Sequence, residues 1–287
     1  MADRVFRFGL VAAGMNSAAE WTAQARKAES MGFSTILLPD ATTVPSSFPY
    51  LAAAAAATET LRVGNFVLAA PLRTAGSIAW DAAAIDQLSQ GRFELGLGAG
   101  RPGADLDARV LGVPFGKPGE RVAKVGEIIE AVRGIFTDAV SGKEGLGAFQ
   151  PLQRPAPPIM VAAGGDRLLS IAARQADIVA VQADAEENLG AKVNLIREVA
   201  GDRFDDLELS ANVFAIGDGD LPPWVAHFGV DTSLATDNRL LAVLNGDTGT
   251  AIDVLKRRRD SFGISYVTIN AFALKAAAPV VERLAGS

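Results

Sequence analysis

Short apolar runs recur along the chain, and each is followed by a stretch whose apolar residues return at three- and four-residue steps. The runs are Phe6–Ala12, Ser34–Pro39, Leu61–Leu68, Arg92–Gly98, Pro158–Ala163, Asp177–Gln182, Leu207–Ile216 and Ser265–Asn270. Most are nearly continuous in apolar character, as expected of strands buried on both faces. The intervening stretches predict helices over Ala18–Met31, Phe48–Thr58, Ser77–Leu88, Pro118–Phe136, Arg167–Gln175, Ala185–Val199 and Thr250–Phe262, with a last one over Pro279–Leu284. The clearest is Pro118–Phe136, where Val122, Val125, Ile129, Val132 and Phe136 form one stripe behind a proline suited to a helix start. Gly32 and Gly91 stand where helix C-terminal caps belong.

Eight strands alternating with helices predict parallel βαβ units. The count favours a closed (β/α)8 TIM barrel over an open doubly wound sheet, although sequence shows no closure directly. The length of 287 residues suits a barrel, which needs about 250. No linker or composition shift divides the chain, so one domain over 1–287 is expected. Two connections exceed ordinary loops: Gly98–Lys117 after the fourth strand, and the insertion Gly217–Thr248 after the seventh. Both leave C-terminal strand ends, where barrels keep their active sites.

Composition narrows the chemistry. Hydrophobic residues are 49% and charged residues 21%, enough for a large core. The 27 basic and 33 acidic residues give a net charge of −6 without a Lys/Arg block, which argues against nucleic-acid and anionic-membrane partners. No run reaches the length of a membrane span, and Met1–Arg7 lacks a signal-peptide core; a soluble cytoplasmic protein is the expectation. Cysteine is absent, which excludes disulfides, thiol catalysis and cysteine-ligated iron–sulfur clusters. The single histidine, His227, excludes two-histidine metal sites, and no metal is expected.

Three features carry candidate chemistry. Gly98-Ala99-Gly100-Arg101-Pro102-Gly103 spells a dinucleotide fingerprint after a strand, but it sits at the fourth strand and Pro102 obstructs the helix that should open there. A glycine-rich strand end where backbone approaches a flat ligand, or a plain tight turn, fits better. Ala163-Gly164-Gly165-Asp166-Arg167 joins a strand to a helix. Exposed N–H groups without Cβ atoms make an anion site, and the bland alternative is a βα turn with Asp166 as N-cap. Asp40 closes the second strand, either facing a ligand or capping the loop.

Together these blocks resemble the luciferase-like monooxygenase superfamily, in its branch of oxidoreductases using the deazaflavin coenzyme F420. The resemblance rests on Leu88–Gly100 (LSQGRFELGLGAG) and Pro158–Gln182 (PIMVAAGGDRLLSIAARQADIVAVQ), with weaker support from Leu61–Arg73 and Gly32–Asp40. It implies a barrel with an insertion near strand seven and a flat tricycle at the C-terminal mouth. It also implies a cis peptide at Phe66–Val67 behind the ring. The cofactor phosphate would lie on Gly164 and Gly165 with Arg167 and Leu168, and Ala99, Gly100 and Asp40 would lie beside the ring. Homodimers are common in the superfamily, and the alanine-rich helices Phe48–Thr58 and Ser77–Leu88 are candidates for the interface.

Two departures shape the functional expectation. Several members carry a histidine after the strand-two aspartate, where this chain has Ala41. The sugar-phosphate dehydrogenases of the family carry a glutamate after the strand-four glycine, where this chain has Arg101. Abstracting a hydroxyl proton needs a positioned base, and neither position supplies one. Expected instead is an F420-dependent reductase that passes hydride to an activated C=C or C=N bond of a small molecule. Water, Tyr50 or His227 would give the proton, and Arg101 would hold a substrate oxygen. The alternatives are an FMN-dependent monooxygenase on the same barrel and a non-catalytic flavin-binding relative.

Overall fold

The computed structural model describes residues 4–13, 17–182, 185–218, 221, 225 and 240–287. Its strands are β1 (Arg7–Val11), β2 (Thr35–Leu38), β3 (Arg62–Asn65), β4 (Leu68–Ala69), β5 (Phe93–Gly98), β6 (Ile159–Ala163), β7 (Ile178–Val181), β8 (Glu208–Val213), β9 (Ala215–Ile216), β10 (Val243–Leu244) and β11 (Ile264–Asn270). The hydrogen-bonded order runs β3-β2-β1-β11-β8-β7-β6-β5-β4, and β3 also pairs with β5. β3 and β4 are halves of one stave, so the sheet closes into an eight-stave parallel barrel. β9 and β10 form a separate parallel pair beside it.

The helices between staves are α1 (Ala18–Ser30), α2 (Ser47–Ala57), α3 (Ala75–Leu88), α4 (Ala104–Leu111), α5 (Pro118–Val140), α6 (Asp166–Gln175), α7 (Leu189–Ala200), α8 (Thr248–Phe262) and α9 (Leu274–Leu284). Strand side chains alternate between two cores. Outward residues such as Phe8, Leu10, Ile36, Leu95, Val161 and Val179 join the helix faces in the main core. A smaller cluster of Val11, Leu37, Met160, Ile178, Ala180 and Tyr266, with Phe66, Val67 and Ala162 against it, draws members from staves around the ring. That cluster fills the barrel's interior.

Several elements differ from the sequence reading. The seventh run, read as one strand over Leu207–Ile216, divides into β8 and β9. The cis peptide expected at Phe66–Val67 is present, and the third stave breaks at it instead of running over Leu61–Leu68. The backbone there lies so close to β5 that a methyl on Gly96 would overlap the Asn65 carbonyl oxygen, and one on Gly98 would sit 2.8 Å from Val67 Cγ2. The connection 98–117 holds the short helix α4, opened by Gly103 at φ +81 and closed by Gly112 at φ +69. The last helix begins at Leu274 and keeps Pro279 inside it. Burial of Ala277, Val280, Val281 and Leu284 offsets the one helical hydrogen bond that a proline removes.

The N-terminal end of the barrel is filled by charge. Arg7 donates to Glu94 at 2.7 Å and to both oxygens of Glu208 at 2.7 and 2.6 Å, and Arg62 donates to Glu94 at 2.7 Å. The Tyr266 ring lies 3.5 Å under the Arg7 guanidinium, and its hydroxyl donates to Glu94 at 3.3 Å. Burial pushes Glu94 up, but Arg7 and Arg62 together outweigh it and hold the carboxyl below its usual range. Burial first, then the Glu94 charge, pushes the Tyr266 phenol up, so it stays neutral.

Candidate active site

At the C-terminal end the interior empties. The inward series Met160, Ala162, Gly164 on stave six and Ile178, Ala180, Gln182 on stave seven ends in small or polar residues that are partly exposed, as does Gly98 followed by Ala99 and Gly100 on stave five. Gly98, Ala162, Gly164 and Ala180 carry no side chain larger than methyl, and the space at the two glycines is taken by Val67 beside Gly98 and by Gln182 over Gly164. Next to stave seven, β8 and β11 present Asn212, Thr268 and Asn270. Thr268 donates to Asn212 Oδ1 at 3.2 Å, and Asn270 accepts the N–H of Phe272 at 3.0 Å. Below Asn212 the Ser210 hydroxyl is buried without a hydrogen-bond partner. This mouth of small residues and neutral amides, with Phe66 and Val67 packed against the cluster beneath it, is the slot in which a ligand would lie.

The turn after β6 stands at the edge of this slot. The N-cap of α6 is Gly165, not Asp166; the aspartate is already the first helical residue. Helix α6, like α2, α4, α7 and α9, has no side-chain cap, so its exposed leading N–H groups are left to water or to a ligand. Nothing lies within 4 Å of a Cβ built on Gly165, so the approach is open. On Gly164 a Cβ would run into the Gln182 amide oxygen, so only glycine lets Gln182 lie across the turn.

Other residues singled out by the sequence take different places. Arg167 is exposed, with a guanidinium nitrogen near Gly119 at the start of α5. The Leu168 side chain is in the main core and its N–H donates to the Gly165 carbonyl at 3.0 Å, so Leu168 supports the turn and offers no free donor to a phosphate. Asp40 stands at the mouth, but both its oxygens are held by Arg73, at 2.8 and 3.1 Å. Gly100 at φ +93 lies against Phe115, where a Cβ would be 3.0 Å from the ring. The Ala99 carbonyl accepts from Arg121 at 3.1 Å.

Two expected catalytic residues are not aimed at the slot. The Arg101 guanidinium folds back onto its own loop, donating to the Pro102 carbonyl at 2.9 Å and to Asp107 at 2.9 Å. Asp107 also accepts from the N–H and hydroxyl of Thr42, so the pair ties α4 to the loop after β2. Tyr50 stands in the helical ring, its ring centroid 5.6 Å from that of Trp21. His227 lies outside the described residues. Sequence reasoning missed Gln182, Asn212, Thr268 and Asn270. Their signal was a polar residue ending an apolar strand in the inward phase.

Among the described residues no cluster of three or more His, Cys, Asp or Glu side chains forms a metal site. None of their helices is long and apolar enough to cross a membrane.

The small-residue mouth and the glycine turn lie at the C-terminal ends of the staves, where barrels of this kind keep their active sites. Residues 5–220 match the luciferase-like monooxygenase family, and the chain belongs to it. An uncharacterized protein of Mycobacterium tuberculosis is 32% identical over 211 residues, spanning 62% of this chain and 71% of that protein. The coenzyme F420-dependent tetrahydromethanopterin reductase of Methanopyrus kandleri superposes with a TM-score of 0.73 at 18% identity, covering 99% of this chain and 98% of that one. The oxygenating constituent of 3,6-diketocamphane monooxygenase from Pseudomonas putida, in complex with FMN, superposes with a TM-score of 0.72 at 16% identity, over 99% and 98%. Both structural neighbours share the fold, and their cofactors differ.

Proposed function

We propose that this chain is a single-domain F420-dependent oxidoreductase that reduces an activated C=C or C=N bond of a small molecule. The observation that carries the reading is the stretch of small residues Gly98, Ala162, Gly164 and Ala180 at the mouth, beside the glycine-led N-terminus of α6 with open space at Gly165. A flat tricycle fits against such a stretch, and a phosphate fits the N–H groups of Gly165 and Asp166. When bound, the reduced deazaflavin supplies the hydride. The chain's own residues orient and enclose. Phe66 and Val67 close the slot from beneath and exclude water. Asn212 and Thr268 offer neutral donors and acceptors on β8 and β11, and Gln182 offers them on stave seven over Gly164. With Asp40 held on both oxygens by Arg73, the described mouth holds no carboxylate placed as a general base, which favours reduction over alcohol oxidation. Arg101 belongs to the rim rather than to the chemistry.

Equilibrium binding to F420, reduced F420 and FMN tests the reading. Preferential binding of F420 supports it. Tight FMN with weak F420 moves the protein to the monooxygenase side of the family, and binding of neither overturns both. A cytoplasmic homodimer is proposed with it. Helix α2 carries no charged residue, and neighbouring α3 exposes Trp80 (60%) and Leu88 (63%). Sedimentation of the wild type as a dimer, and of Trp80→Glu as a monomer, supports that assembly; a monomeric wild type removes it.

A further inference from the structure

A glycine–glycine turn has a weakness as a phosphate cradle. Gly164 and Gly165 have no Cβ to restrict the torsions on either side of their shared peptide, so that peptide is free to rotate. In a trans peptide the C=O and N–H point in opposite directions. The 164–165 bond is trans, since the cis bonds among the described residues are Phe66–Val67 and Arg154–Pro155. Turning the Gly164 carbonyl toward the slot would therefore turn the Gly165 N–H away from it. A carbonyl oxygen in the anion's place repels where an N–H attracts.

One residue fixes the choice. Lys192, half-buried on α7, donates from Nζ to the Gly164 carbonyl oxygen at 2.5 Å. It is twenty-eight residues away and on the next βα unit. A charge-assisted bond of this kind is among the stronger hydrogen bonds in proteins. It holds the carbonyl toward α7, and the trans peptide turns the Gly165 N–H the opposite way. The ammonium also withdraws charge from the carbonyl, which makes the N–H of the same peptide a better donor. The Gly165 carbonyl on the other side is fixed by the N–H groups of Leu168 and Leu169, both at 3.0 Å. With both carbonyls engaged, neither is left to meet an anion at the turn.

We infer that Lys192 is a positioning residue for phosphate recognition: it acts through the 164–165 peptide and sets how strongly the protein prefers a phosphorylated flavin or deazaflavin over its phosphate-free core. The inference rests on the proposed cofactor site. Its effect should fall on the phosphate, because the contact of Lys192 that carries the inference is with the turn that would hold that group.

The test compares paired ligands. Dissociation constants for FMN against riboflavin, and for F420 against its phosphate-free deazaflavin core, are measured by quenching of ligand fluorescence on wild type, Lys192→Met and Lys192→Arg. Melting of each apoprotein is followed alongside. Expected for Lys192→Met is a loss of about tenfold or more for the phosphorylated member of the pair that the wild type binds. The phosphate-free member should stay within about twofold, and Lys192→Arg should regain most of the loss. Equal weakening of both members, or a lowered melting temperature with an unchanged ratio, would show that Lys192 only braces α7 against α6 and overturn the inference while leaving the cofactor reading in place. Wild-type protein that binds none of the four ligands overturns the cofactor reading and the inference with it. Should Lys192→Met fail to fold, Lys192→Gln carries the same comparison.

Discussion

The two ends of this barrel use the same inward positions of the same strands in opposite ways. At the N-terminal end, inward residues are long and charged, and each ion has its counter-ion: Arg7 with Glu94 and Glu208, Arg62 with Glu94. At the C-terminal end, inward residues are glycine, alanine and neutral amides, and α6 begins without a cap. A paired buried network answers its own electrostatics and leaves nothing for a ligand. An unfilled slot with unanswered N–H groups does the reverse. Charge inside a barrel therefore does not by itself mark the active end. Whether the charges are satisfied does.

The comparison breaks first at Glu94. Glu94→Ala leaves two guanidinium groups facing each other without their shared anion, and the loss expected in a denaturant titration is about 3 kcal/mol, with flavin affinity in the surviving folded protein little changed. The pH dependence follows the same group. Its folded-state pKa lies below the ordinary carboxylate value, so its contribution is complete above that value, about pH 4.3, and is lost as pH falls through the folded pKa. Wild-type stability should therefore drop more steeply than that of Glu94→Gln below about pH 4.3. Equal acid slopes for the two proteins would remove the network from the account of stability.

Between the two ends, at the break in the third stave, Gly96→Ala forces a methyl into the Asn65 carbonyl, and backbone cannot step aside as a side chain can. A cost of about 2 kcal/mol is expected, read as a lower melting temperature. A wild-type melting curve for this variant would mean that the stave relaxes freely.

The mouth responds differently. Gly165→Val adds a side chain in open space at φ −95, so stability should stay within about 0.5 kcal/mol of wild type. The added bulk stands over the α6 N–H groups, and cofactor affinity should fall about tenfold, equivalent to 1.4 kcal/mol. Unchanged affinity would defeat the phosphate assignment. The smallest effect is expected at Arg101→Ala, where a partly exposed pair with Asp107 is lost: about 0.5–1 kcal/mol of stability, with kcat/KM kept. Intact melting with lost turnover would return Arg101 to the chemistry.

How much of this was legible in the chain differs between the two ends. The barrel was legible because its cause is local: apolar runs of strand length, helical stripes between them and glycines at their ends repeat eight times, and each unit reports its own structure. The glycine turn was legible for the same reason, since two glycines between a strand and a helix lie within one short window. That the main core claims the Leu168 side chain, and that its N–H is used within the turn, shows only in three dimensions. For Arg101 a rim pair with Asp105 or Asp107 could be read from the sequence as the alternative to a substrate contact, and the fold of α4 onto the loop selects Asp107.

The sequence by itself determined the alternation of strands and helices, the number of staves, the glycine turn and the absence of thiol chemistry. Periodicity and residue type are properties of neighbours along the chain. Only the tertiary structure decided which charges meet. Arg7 finds Glu94 and Glu208 at separations of 87 and 201 residues, and Lys192 finds the Gly164 carbonyl across 28. Those encounters depend on barrel closure and on the register between staves. A shift of one residue in either would turn an inward ion outward and leave its partner buried alone.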